Sequence, residues 1–473
     1  MKEWIKRIVD ERKRKTGEPL EVKTDGRNCY LYRSTTVWSK EEKKRKKVSK
    51  YIGKITEDGI VEGCQRKRSV RSIFEYGNAR LLMKVAEEIV PHLRNAFPED
   101  YNEIIAMAII RVLQSTPIRL IKSRWEKIYL LNEIDASLSP NIVSEKLRFI
   151  GANWSAQKEF FEHLVSDSKY LVFDLSSIFS HSENLKLAEK GYNPQHRYLK
   201  QVNFALFFSL THNTPVMMKS MPGSIRDIKA LRYAVKEMPL KSTVVVLDTG
   251  FASYSIPDLL QEKEMGFVLP LRRNFRLIDY DTKLRGCFIY RGRGINWNKK
   301  KVGENYLYLF EDVKLRAEEE TTFIEMINEG KRKRDELDGE RKKFGKIAIL
   351  SSLDEGGEQI YLLFKSREEI ECVFDVMKNE MENDKCYLSD DDAVRGYFFI
   401  SFVSLYIYFR ILDLLRQNDL IGKTSVNELL FELSKVYLIY YSDNQKRLSE
   451  IPRKVEMLDK TLKTDLFPIE LRS

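Results

Sequence analysis

The amino-acid sequence predicts an α/β protein built around a mixed β-sheet with helices on its faces. Five apolar, strand-like runs occur from residue 169 onward, in the order KYLVFDL, QVNFALFFSL, TPVMMKSM, STVVVLD and FVLPL. Helical segments, residues 225–238 and SIPDLLQEKEMG, precede the last two runs. The resulting order, β-β-β-α-β-α-β, is typical of a mixed sheet covered by helices. The length of 473 residues allows two or three domains.

The composition is that of a globular protein with a basic surplus. Lys and Arg number 81 against 70 Asp and Glu, which leaves a net charge of +11. This surplus favours a polyanionic partner, first nucleic acid and then an acidic membrane surface, although a basic protein without such a partner has the same charge. The 5 cysteines lie far apart, as is typical of reduced thiols. We therefore expect a cytoplasmic protein.

No segment of the sequence is predicted to enter a membrane. The N-terminal stretch MKEWIKRIVDERKRK is charged throughout and lacks the apolar run of a signal peptide. The longest apolar run, residues 396–409, is shorter than the roughly 20 residues that a spanning helix needs. We expect this run to be a buried core helix.

The first 66 residues are predicted to form a β-rich arm. Short strand-like runs, such as CYLY and YIGKI, flank the basic segment KEEKKRKK. This charge is compatible with a solvated turn. It is also compatible with a nucleic-acid contact, because Trp38 and Tyr51 lie among the basic residues.

Residues 67–165 are predicted to form a helical, DNA-binding region. Apolar residues recur at three- and four-residue spacing in LLMKVAEEIV and in IIAMAIIRVL. A short helix follows the turn SLSP, with Ser139 as its predicted N-cap and Pro140 at its first position. This helix is either a packed scaffold helix or the second helix of a helix-turn-helix.

Two acidic residues close apolar strands of the predicted sheet. Asp174 follows YLVF and Asp248 follows VVVL. Ligands gather beyond strand ends in open sheets, and an unpaired carboxylate beside an apolar strand is costly unless its charge is compensated. Either acid alone could be a strand-end or turn residue. The two together favour a divalent cation.

A third acid lies on a predicted helix after the strand-like run QIYLLF. Ser366 is the predicted N-cap of this helix, with Glu369 completing a capping box. The helix would align Glu371 with the cations Arg367 and Lys378 on the face that also carries Phe374. A surface helix with an Arg–Glu pair is the alternative. A face that meets both metal and phosphate explains the set better.

Other catalytic motifs are missing from the sequence. There is no Cys/His cluster with the spacing of zinc ligands, whereas carboxylate oxygens suit Mg²⁺ or Mn²⁺. There is no GxxxxGK[ST] loop and no GxSxG elbow, so we expect neither a nucleotide cofactor nor a serine hydrolase.

The residues of the predicted helix resemble a known signature. The spacing Phe364-x2-Arg367-x3-Glu371-x6-Lys378 is similar to the Tyr-Arg-Glu-Lys signature of insertion-sequence DDE transposases of the fourth insertion-sequence group and its relatives. One position departs from that signature, because residue 364 is Phe and lacks the hydroxyl group of Tyr.

The resemblance extends to the segments around the first two acids. FDLSS at Asp174 and LDTGF at Asp248 resemble the first and second acids of that family, and GYNPQHRYLKQVNFAL resembles a run typical of one branch. Pro222-Gly223 followed by Asp227 is similar to the family's segment between those acids. Within the branch-specific run, Asn193-Pro194-Gln195 replaces the usual Ser-Lys-Asp and removes one basic residue.

The resemblance implies a ribonuclease-H-like fold with a largely β insertion. The divisions that we expect are a β-rich arm (1–66), a helical DNA-binding region (67–165), a first core part (166–272), a β-rich insertion (273–345), a second core part (346–418) and a C-terminal tail (419–473).

The resemblance also implies a DDE transposase, which is a metal-dependent DNA endonuclease and strand transferase. Asp174, Asp248 and Glu371 would be catalytic and would hold two Mg²⁺ or Mn²⁺ ions. The implied DNA-binding residues are Arg367, Lys378, Phe364, Arg272, Trp297, His196, Arg197 and Lys200. Packing inside the insertion is the alternative for Trp297, which by its location would otherwise stack on a flipped base.

The implied partners are double-stranded DNA, as terminal inverted repeats and target, and a second copy of the chain on that DNA. In a prokaryote the protein would be associated with the nucleoid. Two other interpretations stay open. The chain could be a catalytically silent, sequence-specific DNA-binding protein derived from a transposase, or a ribonuclease-H-like nuclease that cuts without joining.

Overall fold

The computed structural model describes residues 2–26, 28–39, 44–62, 69–180, 182–191, 199–238, 240, 242–381, 385–386 and 388–472. The chain forms two compact units. The first unit is Met1–Ser72 with Ile439–Lys446, and the second is Ile73–Leu438 with Arg447–Ser473.

The first unit contains an antiparallel sheet with a helix packed on one face. Its elements are α1 (Glu3–Thr16), β1 (Leu20–Asp25), β2 (Asn28–Ser39), β3 (Lys44–Thr56) and β4 (Gly59–Glu62), with the strands in the order β1-β2-β3-β4. Ile5 and Val9 lie one turn apart on α1 and are buried with Leu31 of β2 and Ile55 of β3. α1 ends at Gly17, whose φ of 66° suits a residue without a side chain.

The second unit begins with helices, as the apolar spacing of residues 67–165 predicts. The helices follow β5 (Val70–Glu75), which begins in the first unit, and are α2 (Gly77–Ala86), α3 (Val90–Ala96), α4 (Tyr101–Leu113), α5 (Ile121–Trp125), α6 (Pro140–Ala152) and α7 (Trp154–Val165). Ser139 caps α6 as predicted, because its hydroxyl oxygen accepts the backbone N–H of Ile142 at 3.5 Å.

A mixed sheet forms the centre of the second unit. Its elements are β6 (Tyr170–Ser180), β7 (Glu189–Lys190), β8 (Lys200–Ser209), β9 (Thr214–Pro222), α8 (Asp227–Glu237), β10 (Val244–Val246), α9 (Ser255–Gln261) and β11 (Gly266–Leu271). The strands lie in the order β9-β8-β6-β10-β11. β10 is parallel to β6 and β11, whereas β8 is antiparallel to β6 and β9. This is the ribonuclease-H-like arrangement, so the predicted fold class is confirmed.

The predicted insertion extends the same sheet. It contains β12 (Gly286–Tyr290), β13 (Arg293–Val302), β14 (Asn305–Asp312), α10 (Val313–Asn328) and α11 (Leu337–Arg341), and it leads to β15 (Lys346–Ser351). The strands continue outward from β11 in the antiparallel order β15-β14-β13-β12. The segment predicted to be mainly β therefore also contains the 16-residue helix α10.

The chain then forms α12 (Gly357–Lys365), α13 (Glu368–Asp375), a π-helical turn (Val376–Glu380), β16 (Lys385–Cys386) and α14 (Asp391–Gln417). The strand predicted for QIYLLF is wrong, because these residues lie in α12. The predicted capping box is also wrong. The Ser366 hydroxyl donates to the carbonyl of Leu363 at 2.7 Å, which places Ser366 at the C-terminal end of α12. A short apolar run fits a strand and a buried helix equally well, and here Ile360 and Tyr361 are the buried positions of a helix.

α14 is the longest apolar helix of the unit. By length and composition alone it could cross a membrane, as could the bent pair Tyr101–Leu113 and Ile118–Trp125, but buried core helices pass the same test. α14 is largely buried here and packs on α4, α6 and β9. The expected buried core helix over residues 396–409 is confirmed.

α6 and α14 approach each other closely through two glycines. A Cβ atom at Gly151 would lie 1.7 Å from the Asp392 carbonyl oxygen, and one at Gly396 would lie 1.9 Å from the Leu147 carbonyl oxygen. Because neither position has space for a side chain, this contact holds α6 in the core as a scaffold helix.

The C-terminal part comprises α15 (Val426–Leu433), β17 (Tyr437–Tyr441), β18 (Lys446–Leu448) and α16 (Arg453–Leu462). Three short strands form a separate sheet in the order β18-β17-β5.

Candidate active site

Asp174 lies within a strand, which corrects the prediction that it closes one. β6 continues to Ser180 and stays paired with β8 from Leu171↔Ser209 to Phe179↔Gln201. The serines of SSIFS suggest a loop, but β8 extends equally far and holds them in the sheet. The side chain of Asp174 is therefore presented by a rigid central strand.

Asp248 lies two residues beyond the end of β10, which is the parallel neighbour of β6. β10 pairs with β6 through Val244↔Tyr170 and Val246↔Val172. Continuing this register by two residues places Asp248 opposite Asp174, at the start of a short 3-10 turn. Asp248 thus follows a strand, although β10 ends at Val246 and not at the acid as predicted, and the parallel register brings the two acids together.

The environment of Asp174 disfavours its negative charge. Its Oδ1 accepts the backbone N–H of Leu175 at 2.8 Å. Burial is the main cause that raises the pKa of Asp174 to about 7, and the charges of Asp248 and Asp227 contribute to this rise, whereas the hydrogen bond from Leu175 and the charge of Arg367 oppose it. Protonation or a cation would relieve this cost.

Asp227 is a fourth acid near the site, and it was not predicted as a site residue. It is the first residue of α8, and a Cβ atom at Gly250 would lie 3.2 Å from its Oδ2 and 3.9 Å from that of Asp248. Burial raises the pKa of Asp227, and the charge of Asp248 adds to the rise. The sequence signal was an acid at a helix start between the two strand acids. That position is also common for ordinary helix-dipole acids.

Arg367 connects two of the predicted catalytic acids. Its Nη1 lies 2.9 Å from Oδ1 of Asp248 and 3.1 Å from Oε1 of Glu371. Glu371 is one turn beyond Arg367 and is more exposed than Asp248, with 57% of its side chain accessible against 37%. The Arg–Glu pair of the alternative interpretation is therefore present, and Arg367 also joins Glu371 to Asp248, a contact that sequence spacing did not reveal.

Lys378 reaches the same edge of the sheet from the π-helical turn. Its ammonium group donates to Oγ of Ser176 on β6 at 2.7 Å. Burial lowers the pKa of Lys378, and the charge of Asp174 opposes this shift. Phe374 packs on Phe204 of β8, with ring centroids 5.6 Å apart. The face predicted for this helix therefore does meet the strands that carry the acids.

Arg272 and Phe364 lie next to this cluster. Nη2 of Arg272, an exposed residue following β11, lies 3.5 Å from the carbonyl oxygen of Gly250. The half-buried ring of Phe364 has the guanidinium carbon of Arg367 at 5.9 Å and Nζ of Lys365 at 5.6 Å from its centroid. The ring thus supports Arg367 without the hydroxyl of the signature tyrosine.

Trp297 lies on β13 and packs against two glycines. A Cβ atom at Gly357 would lie 2.0 Å from Cδ2 of Trp297, and one at Gly286 would lie 2.5 Å from its Nε1. Trp297 is therefore packed inside the insertion and against α12, which agrees with the packing alternative to base stacking. Lys200 is exposed at the start of β8, whereas His196 and Arg197 lie outside the described residues.

The donor set around Asp174 fits a hard divalent cation. The possible ligands are the carboxylates of Asp174, Asp227, Asp248 and Glu371, the type that Mg²⁺ and Mn²⁺ prefer, and the cations Arg367 and Lys378 lie beside them. The buried, unfavourable charge of Asp174 beside Asp248 is the feature that a cation would compensate. Within the described ranges, no three His, Cys, Asp or Glu side chains are grouped closely enough to hold a metal, and Arg367 occupies the space between Asp248 and Glu371.

Comparison with known protein families identifies the family of the chain. The family described as Transposase DDE domain matches residues 167–407, slightly more than half of the chain. The chain belongs to this family. The matched segment runs from the start of the mixed sheet into α14, so it includes Asp174, Asp227, Asp248 and Glu371.

Curated sequences and solved structures provide two further comparisons. No curated protein sequence matches it significantly. Among solved structures, the cryo-EM structure of piggyBac transposase in a synaptic complex with hairpin DNA is similar, with a TM-score of 0.41 and 12% identity over 83% of this chain and 84% of that chain.

Proposed function

We propose that this chain is a cut-and-paste DNA transposase that cleaves the ends of an insertion sequence and joins them to target DNA. The observation that carries the proposal is the position of Asp174 on β6 and of Asp248 just beyond the neighbouring parallel strand β10, with Glu371 joined to Asp248 through Arg367. Membership of the Transposase DDE domain family supports a DNA endonuclease and strand transferase.

Asp174, Asp248 and Glu371 would hold two Mg²⁺ or Mn²⁺ ions. When bound, such ions activate an attacking water or 3′-hydroxyl and stabilise the leaving oxygen of a phosphodiester. The rigid central strand fixes the position of Asp174, and the two-residue continuation beyond β10 fixes that of Asp248. Glu371 lies on a helix and its side chain is exposed. Its position therefore depends on its contact with Arg367.

Cations beside the acids would hold the DNA backbone. Arg367 and Arg272 carry guanidinium groups, which bind phosphate through two parallel hydrogen bonds. Lys378 carries a compact ammonium charge and lies against β6. Their position next to the acids suits a phosphodiester that is held and cut at the same place.

The substrate would be double-stranded DNA, as terminal inverted repeats and as target. Because joining requires two ends, we propose a homodimer on DNA, located in the cytoplasm and, in a prokaryote, at the nucleoid. Further DNA contacts are proposed for Phe364, Trp297, Lys200, His196 and Arg197, of which Trp297 would have to leave its packed position.

Cleavage and strand transfer on DNA carrying the element's own ends test the proposal. In Mg²⁺ or Mn²⁺, we expect wild type to cut and join, whereas Glu371→Gln binds the same DNA but cuts it more than about 100-fold more slowly. That loss exceeds the 10–100-fold effect of removing an outer-shell partner of a metal ligand. Glu368→Gln is the matched control, because Glu368 lies on the same helix but pairs with Arg291 and Lys365.

Each result has a distinct meaning. Full activity of Glu371→Gln would show that another acid completes the site. Cutting without joining by the wild type would indicate a nuclease. Binding of the ends without cutting would indicate a silent DNA-binding protein.

A further inference from the structure

The first unit carries a two-stranded ribbon that extends beyond its sheet. β2 and β3 stay paired from Ser34↔Ser49 to Ser39↔Lys44. β1 pairs with β2 only as far as Arg33, and β4 pairs with β3 only from Gly53 onward. At about 3.4 Å per residue, the ribbon is roughly 20 Å long.

Aromatic residues collect on the sheet face opposite α1. Leu31 is buried toward α1, so its neighbours Tyr30 and Tyr32 point to the other side. A bulge after Leu31 takes up one extra residue of β3 and leaves Tyr51 opposite Tyr32. The ring centroid of Tyr51 lies 6.0 Å from that of Tyr30 and 5.4 Å from that of Tyr32.

Trp38 lies farther along the ribbon on the same side, since Tyr32 and Trp38 are an even number of residues apart. Its side chain is 58% exposed, and that of Tyr51 is 43% exposed. We call the surface formed by Tyr30, Tyr32, Trp38 and Tyr51 the aromatic face.

Basic residues surround the aromatic face. Nζ of Lys23 lies 4.6 Å from the ring centroid of Tyr32, Arg45 is paired with Trp38, and Lys54 is paired with Tyr30. Among the described residues 33–39 and 44–50, none is acidic, and the basic ones are Arg33, Lys44, Arg45, Lys46, Lys47 and Lys50. The ribbon is therefore positive, although Arg33 at its base is paired with Glu18 at 3.2 Å. Lys47 contacts Glu21 of β1 at 2.8 Å.

α6 offers no comparable surface. Its apolar face, with Val143, Leu147 and Ile150, is buried, and Gly151 is pressed against α14. Lys146 of α6 is engaged with Asp100 at 2.6 Å. The helix that resembled the second helix of a helix-turn-helix is therefore a poor candidate for reading DNA.

We propose that the ribbon and the aromatic face of the first unit bind double-stranded DNA, with the ribbon in the major groove. The proposal rests on the proposed function and names the surface that holds the DNA duplex. The major groove of B-DNA is about 12 Å wide and admits a two-stranded β-ribbon. The positive charge complements the phosphates on both sides of the groove.

The geometry favours a duplex over a single strand. Single strands are bound by aromatic rings that are free to stack on bases. The rings of Tyr30, Tyr32 and Tyr51 instead meet edge to face and fill the sheet surface, so they provide a firm apolar support. Trp38 lies on the ribbon itself and is exposed, so its ring can contact the groove wall or a thymine methyl group.

Binding of a labelled 30-base-pair duplex by the full chain, in EDTA so that no cleavage occurs, tests this surface. The test variant is Arg45→Gln/Lys47→Gln/Lys54→Gln. The charge-preserving variant is Arg45→Lys/Lys47→Arg/Lys54→Arg, and the control Lys454→Gln/Lys460→Gln/Lys463→Gln removes three exposed lysines at α16. The dissociation constant is measured across salt concentrations, and thermal melts check that each variant is folded.

We expect the test variant to bind at least tenfold more weakly than wild type at low salt. The slope of log affinity against log salt should fall by about 0.9 for each lost phosphate contact. The charge-preserving variant and the α16 control should keep the wild-type slope. Trp38→Ala should weaken duplex binding without changing the slope, because it removes no charge.

Three outcomes would count against parts of the argument. A test variant with wild-type affinity and slope overturns the ribbon proposal while the proposed function stands. If the test variant loses binding to one labelled strand of the same sequence but keeps its binding to the duplex, the duplex assignment is overturned. A wild-type chain that binds no duplex at all contradicts the proposed function itself.

Discussion

The acids of the candidate site are brought together by neighbouring strands and one helix start, and their negative charges repel one another. Asp174 lies on β6 and Asp248 just beyond β10, and a Cβ atom at Gly250 would lie close to a carboxylate oxygen of both Asp227 and Asp248. The charges of Asp227 and Asp248 both raise the pKa of Asp174 beyond the effect of burial. Such a cluster is unfavourable for the fold by itself and favourable for binding a divalent cation.

Asp174→Asn should stabilise the metal-free protein at high pH. Between the ordinary Asp pKa of 3.8 and the folded value of about 7, the unfolded chain has lost a proton that the folded chain keeps. The free energy of unfolding of wild type therefore falls as pH rises through this window, whereas Asn does not titrate. Urea unfolding in EDTA at pH 5 and pH 8 measures the difference.

At pH 8, the free energy of unfolding of Asp174→Asn should exceed that of wild type by an amount on the order of 2 kcal/mol, after allowance for the partial solvent access of Asp174. Asp258→Asn, an exposed acid on α9, is the control and should show no such pH dependence. If Asp174→Asn is more stable than wild type by the same amount at both pH values, the charge of Asp174 is not the cause of the difference.

Asp227→Asn should slow cleavage and leave DNA binding unchanged. Asp227 faces Asp248, and its negative charge raises the electrostatic attraction of the site for a cation. We expect a loss of roughly 10–100-fold in the cleavage rate, as for outer-shell partners of metal ligands, with a higher Mn²⁺ concentration needed for half-maximal rate. A rate loss that no Mn²⁺ concentration reduces would point to a role apart from the cation.

At the scale of elements, α12 packs closely on β13 through the contact between Gly357 and Trp297. Gly357→Ala would place a Cβ atom 2.0 Å from Cδ2 of the ring, which is far too close, so the ring or the helix must move. Overpacking of this kind costs about 1–3 kcal/mol in the free energy of unfolding. Chemical denaturation of Gly357→Ala and of Gly356→Ala tests this, since position 356 has nothing within 4 Å.

A double variant separates the ring from the helix backbone. In a Trp297→Leu background, Gly357→Ala should cost much less, because a smaller side chain leaves space for the new methyl group. If the cost is the same in both backgrounds, the indole ring is not what excludes a side chain at position 357.

Several elements could be predicted from the sequence because their patterns are local. The strand runs, the helix before STVVVLD and the buried helix over residues 396–409 all follow from apolar spacing and composition. The two strand acids were found by the same route. Asp248 does follow its strand, whereas Asp174 lies inside one because β8 extends the pairing as far as Phe179.

The errors arose where a partner elsewhere in the fold decides the outcome. QIYLLF is a helix because Ile360 and Tyr361 are buried, a fact that a short apolar run does not encode. Ser366 ends a helix where a capping box was predicted. The contacts of Arg367 with Asp248, and of Asp227 with the cluster, join residues far apart in sequence, so spacing could not reveal them.

At the scale of the whole molecule, the acids and the ribbon lie in different compact units. Asp174, Asp227, Asp248 and Glu371 all belong to the second unit, whereas the ribbon belongs to the first. Compact units of this size have their own hydrophobic cores, and a ligand stabilises the unit that binds it. A divalent cation should therefore act selectively on the unfolding of the second unit.

Mn²⁺ should raise the unfolding temperature of the second unit and leave that of the first unchanged. Trp125, Trp154 and Trp297 report on the second unit, and Trp4 and Trp38 on the first. A Trp4→Phe/Trp38→Phe variant makes tryptophan fluorescence specific to the second unit. Stabilisation should grow as RT ln(1 + [Mn²⁺]/Kd), reaching about 2.7 kcal/mol at a hundredfold excess over Kd.

Asp248→Asn should abolish the Mn²⁺ effect, and Asp258→Asn should keep it, because only the first substitution removes a proposed ligand. A Trp125→Phe/Trp154→Phe/Trp297→Phe variant, which reports the first unit, should show no shift with Mn²⁺. If Mn²⁺ stabilises Asp248→Asn as much as wild type, the cation binds somewhere other than the paired acids of β6 and β10, and the catalytic assignment loses its basis.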